Sequence, residues 1–124
     1  MNINILKEKN ELLLEEAARW VGKSKSLCLE VNVLCEPFLK SCCDIYAGYQ
    51  DACSAGSRIS FIEGLQLVVA ATRRLDFWVR CLEAYDPASA TDLYAIKKEA
   101  ADIKALCLAS VKTMVKKKNP TESY

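Results

Sequence analysis

The sequence predicts an all-α protein, an antiparallel up-and-down four-helix bundle. Three observations lead there. Gly (4) and Pro (3) are scarce among 124 residues, too few for the many turns of an all-β chain. Apolar residues make up 52% of the chain, and Ala, Leu, Lys and Glu are abundant, the composition of long amphipathic helices. Apolar positions also recur at alternating spacings of three and four, the helical period. The length suits one domain, placed at residues 1–118, with 119–124 expected to be a disordered tail.

The first helix is expected over residues 4–23. Leu6, Leu13, Ala17, Trp20 and Val21 share a stripe, while Lys7, Glu8, Glu11, Glu15 and Arg19 face water. Gly22 and the serines at 24 and 26 weaken the pattern and mark an end. Leu27, Leu29, Val31 and Val33 then read as a connection packed over the end of the bundle.

The second helix is expected to begin near Glu36, with Pro37 in its first turn, where a missing N–H is tolerated. Phe38, Cys42, Ile45, Tyr49 and Ala52 form a heptad seam. Gly48 inside it either permits close helix approach or is merely tolerated, at about 1 kcal/mol against Ala.

Ser57 is the expected N-cap of the third helix. Its seam runs Phe61, Leu65, Val68, Thr72, Leu75, Val79 and Leu82. Leu67, Ala71, Trp78 and Cys81 form a second apolar stripe, wider than one neighbour requires, and are the candidate subunit interface. Tyr85, Asp86 and Pro87 end this helix. Ser89-Ala90-Thr91-Asp92 resembles a capping box, with Asp in place of Glu or Gln. The fourth seam is Leu93, Ile96, Ala100, Ile103, Cys107, Ser110 and Met114. Lys116, Lys117 and Lys118 suit the helix C-terminus, and Asn119-Pro120 stops it.

Composition also bears on function. Net charge is +1, without the bulk basic excess of a dedicated nucleic-acid binder, so any such contact must be a local patch. The start, MNINILKEK, lacks the apolar core of an export signal. No apolar run, that of residues 67–71 included, exceeds five residues, far short of the ~20 residues of a membrane span. A cytoplasmic protein without a membrane partner is expected.

The seven cysteines (Cys28, Cys35, Cys42, Cys43, Cys53, Cys81 and Cys107) are odd in number and contain no C-x-x-C pair. They read as free thiols, mostly buried. Histidine is absent, which removes the common Cys/His zinc sites, the Glu-x-x-His metal sites of bundles and the usual base for a Cys or Ser nucleophile. Glu15, Glu16, Glu99 and Asp102 therefore read as a solvated acidic face. No catalytic, cofactor or metal residues are assigned, and neither enzymatic activity nor a small-molecule substrate is expected.

The basic cluster is the candidate nucleic-acid contact: Arg73, Arg74 and Arg80 on the third helix, with Lys97 and Lys98 on the fourth. Arg73 and Arg80 are seven apart and share a face, and Arg74 lies about 100° from Arg73. Asp76 and Glu83 are each placed to pair with the arginine three residues earlier. Trp20 and Trp78 read as core or subunit-contact residues before stacking platforms for bases.

One stretch carries a family resemblance. Lys40-Ser41, Asp44-Ile45, Asp51-Ala52, Ser57, Phe61-Ile62, Leu65, Phe77-Trp78-Val79 and Leu82 follow, without a gap, the pattern of the 23S rRNA-intervening-sequence proteins, also called four helix bundle proteins. The outer helices match only in amphipathic character. Cys42 and Cys43 stand where small residues are usual, Gly48 where Asn is frequent, and Ser60 where an acidic residue precedes Phe61. The resemblance implies an up-and-down bundle that assembles into a ring of five, with a poorly defined role. The tract from Arg73 to Arg80 is also similar to a related branch, the accessory proteins of diversity-generating retroelements, which work with reverse transcriptase and nucleic acid. The functional expectation is a homo-oligomeric interaction module for RNA, DNA or a nucleic-acid enzyme. The alternative is a protein–protein scaffold without a nucleic-acid role.

Overall fold

The computed structural model describes residues 3–24 and 29–116. Four helices account for nearly all of them: α1 (Ile3–Ser24), α2 (Leu29–Cys53), α3 (Arg58–Tyr85) and α4 (Ala90–Lys116). A single 3-10 turn, Pro87–Ser89, joins α3 to α4, and no strand occurs among the described residues. Leu27, Cys28, Lys117, Lys118 and the expected tail at 119–124 lie outside those residues.

The helices form a square in which each packs on two others: α1 on α2, α2 on α3, α3 on α4 and α4 on α1. Side-chain pairs tie neighbouring helices together. Trp20 meets Phe38 edge-on, with ring centroids 5.4 Å apart, across α1 and α2. Lys9 of α1 reaches Asp102 and Glu99 of α4 at 2.9 and 3.4 Å. The seams read from the sequence meet at the centre. Leu6, Leu13, Phe38, Ile45, Leu65, Leu75, Leu93 and Ile103 are fully buried, each worth about 1.5–3 kcal/mol of transfer free energy.

The α2–α3 pair is the closest packed. A methyl group on Gly48 would lie 2.9 Å from Val68 Cγ2, and one on Gly64 would lie 2.8 Å from the backbone of Ala52. Gly48 is thus a close-approach glycine, and Gly64 is its unforeseen counterpart. Ser57 caps α3 as expected, accepting a hydrogen bond from the Ser60 amide at 3.1 Å.

Four expectations need correction. First, α2 begins at Leu29, so Pro37 sits inside the helix. The α2 seam extends back to a buried Cys35, three residues before Phe38, and this carries the helix through the proline. Val33 is 62% exposed and does not cover the bundle end. Second, Ser89 belongs to the 3-10 turn, where its hydroxyl donates to Asp86 Oδ2 at 2.8 Å in place of a capping box.

Third, the acidic residues of α1 and α4 are not all solvated. Glu99 is largely covered beneath Lys9, and Glu16 Oε2 is buried without a hydrogen-bond partner. Fourth, the six described cysteines are free, but only Cys35, Cys42 and Cys107 are buried. Cys43 and Cys53 are exposed and Cys81 is half-buried, because they stand off the seams.

Candidate functional site

The seven-residue step that puts Arg73 and Arg80 on one face of α3 recurs on α4 between Lys97 and Lys104. Because the two helices are antiparallel neighbours, these four cations line one groove of 320 Å³. Two turns separate the cations on each helix, about 10 Å along the axis. Thr72, Leu75, Val79, Ala100 and Ala101 form the floor and walls, and Asp76 is the one carboxylate in the lining.

Ion pairs divide the cations into two kinds. Arg80 Nε is 3.0 Å from Asp76 Oδ2, one turn back on α3. Lys97 Nζ reaches Glu83 Oε1 across the helices at 3.2 Å, and the glutamate is mostly covered. Both carboxylates therefore choose partners other than the ones expected from i,i+3 spacing. Arg73 and Lys104 have no carboxylate partner among the described residues. Asp76 and Glu83 thus pair the cations at one end of the groove, while those at the other end have no carboxylate partner among the described residues.

The structure separates the remaining candidates. Arg74 turns to α2 and pairs with Asp44 Oδ2 at 3.5 Å, an arrangement that also holds Lys40 at 3.2 Å. Lys98 is exposed on α4 but does not line the groove. Lys104 was missed, although its spacing from Lys97 repeats that of Arg73 and Arg80 and was legible in the sequence. A second cleft, of 190 Å³ between α2 and α3, is lined by Asp44, Ala47, Gly48, Asp51, Leu67 and Arg74 and has no cationic excess.

The expected subunit stripe is broken. Ala71 is buried at the α2–α3 contact, because the close approach through Gly48 and Gly64 covers that side of α3. Trp78 is half-buried against the core, and Cys81 is also half-buried. Leu67 is 57% exposed and alone among the four keeps most of its surface in water. Trp20 is buried in the core. The exposed aromatic rings of α3 and α4 are Phe77, Tyr85 and Tyr94.

No group of three or more His, Cys, Asp or Glu positioned to hold a metal ion occurs among the described residues. No described helix is long and apolar enough to cross a membrane.

No protein-family profile matches the chain, and no curated protein does. A solved structure does. It is similar to the crystal structure of a protein of unknown function from the S23 ribosomal protein family of Bacteroides thetaiotaomicron, with a TM-score of 0.74 and 26% identity, over 90% of this chain and 99% of the other.

Proposed function

We propose that this protein is a non-enzymatic binding module, related to the 23S rRNA-intervening-sequence proteins, that holds nucleic-acid phosphates in the α3–α4 groove. The observation that carries this reading is the groove itself, where Arg73, Arg80, Lys97 and Lys104 converge around a single lining carboxylate. Net charge near zero does not oppose it, since the groove lining itself carries four cations and one carboxylate. The motif resemblance over residues 39–82 and the S23-family structure both support the family relationship. The absence of histidine supports a role in binding over catalysis.

The test is binding of labelled RNA and DNA across a salt series. Affinity should fall steeply with salt, and replacing Arg73 and Lys104 together by Ala should lower the log–log slope by roughly 0.7–0.9 per lost phosphate contact. Wild-type protein that binds neither polymer at low salt would end this reading.

A second reading, self-association through the α2–α3 face, is favoured by Leu67, whose side chain stands exposed beside the Asp44–Arg74 pair. The family resemblance supplies the expected ring of five. The two readings use different faces of α3 and are compatible, whereas a pure scaffold would leave the cationic groove without a role.

A further inference from the structure

Two exposed aromatic rings stand within one helical turn of the groove's cations in sequence, Phe77 on α3 and Tyr94 on α4, outside the groove's own lining. Phe77 lies four residues after Arg73 and three before Arg80, so it shares their outward face of α3. It is 57% exposed. Tyr94 lies three residues before Lys97 on α4 and is 65% exposed. Helix α3 is therefore interrupted, between its two groove cations, by a ring with no place in the core.

Phe77 is also braced. Its ring meets Trp78 edge-on, with centroids 5.0 Å apart and planes at 75°, and Trp78 packs against the core. Nucleobases present flat faces that stack on such rings, and their linking phosphates need cations close by. A duplex hides those faces inside its own stack and offers only backbone, leaving Phe77 and Tyr94 nothing to cover them.

Resting on the phosphate-binding reading above, we infer that the groove's ligand is single-stranded nucleic acid. Its backbone runs over Arg73, Lys104, Lys97 and Arg80, and its bases lie on Phe77 and Tyr94. Stacking of this kind tolerates any sequence, since every base has such a face. The contact would therefore read strandedness and not base identity.

Fluorescence anisotropy tests this with mixed-sequence oligonucleotides, RNA and DNA, each as single strand and as duplex at one salt concentration. Single strands of both sugars are expected to bind at least about ten-fold more tightly than the duplexes. Phe77→Ala and Tyr94→Ala should each weaken single-strand binding about five-fold or more, with duplex binding and the salt slope unchanged. Phe77→Trp should retain single-strand affinity, and a retained unfolding midpoint in each variant certifies the fold. Duplexes bound as tightly as single strands would overturn the inference. So would Ala variants that bind like wild type while Arg73→Ala with Lys104→Ala loses affinity, an outcome that leaves the phosphate reading standing. Failure of every polymer to bind would overturn both.

Discussion

Gly64 of α3 lies so close to Ala52 of α2 that a methyl group on its Cα would stand 2.8 Å from both the backbone nitrogen and the Cα of Ala52. The atoms in the way are backbone, which cannot rotate aside, so the helices themselves would have to part. Gly64→Ala is expected to destabilise the protein by about 1–3 kcal/mol, despite the ~1 kcal/mol advantage of Ala in a helix. Gly22 has nothing within 4 Å, and Gly22→Ala should be neutral or stabilising by up to about 1 kcal/mol. Urea unfolding of both variants makes the comparison. A stabilised Gly64→Ala would contradict the close approach.

The carboxyl of Glu16 is held above the usual range, first by burial and then by the charge of Glu99. The native state thus binds this proton more tightly than the unfolded chain does. The contribution is present below pH 4.5 and is lost as pH rises through the raised value. Glu16→Gln should therefore stabilise the bundle at pH 7, by about 1 kcal/mol, because it removes a charge opposed by burial and by Glu99. The gain should disappear near pH 4. Denaturation at the two pH values measures it, and an equal effect at both would place the cause elsewhere.

Burial pushes the Cys42 and Cys107 thiols up to about 12, with neighbouring Cys43 adding to the shift of Cys42. From about pH 9 upward the unfolded thiols ionise while the native ones keep their protons. Stability should then fall by roughly 1.4 kcal/mol per pH unit for each thiol until the native values are reached. At pH 8 an alkylating reagent should modify exposed Cys43 and Cys53 first and reach Cys35, Cys42 and Cys107 only on unfolding. Mass spectrometry of the timed products decides, and uniform labelling of native protein would contradict the packing.

If the α2–α3 face joins copies of the chain, light scattering should give a mass that is a multiple of 13.8 kDa, with five the expected number. Leu67→Glu should dissociate the assembly and leave helicity intact, since this side chain contributes little to the core. Trp78→Glu should instead lower the unfolding midpoint, because Trp78 packs on the core. A wild-type particle of single-chain mass would rule out self-association.

The four helices were legible because each carries a three–four seam over at least two heptads, a signal that does not depend on knowing the neighbours. The start of α2 was not legible. Pro37 resembles a helix opening, and only tertiary packing of Cys35 beneath it shows that the helix is already two turns old. The site was half legible. Arg73, Arg80 and Lys97 were found from charge and spacing, and Lys104, seven residues after Lys97, was legible on the same ground; that the two pairs face one groove is a fact of packing. Packing also decides the partner of Arg74: Asp44, thirty residues earlier in the chain, claims it. Ala71 resembled surface because a seam predicts one buried stripe, whereas the close approach of α2 and α3 at the glycines buries Ala71 beside it.

Pro37 has a consequence for how α2 opens. Having no N–H, it leaves the Val33 carbonyl without the bond that closes the helical ladder at that turn. The backbone ladder that ties the first two turns of α2 to the rest is thus one bond short at this point. In amide exchange, α2 should divide into two cooperative units at this point. Protons in the first turns should exchange through small openings that leave the bundle intact. Those from Ile45 onward, deep in the contact with α3, should wait for global unfolding.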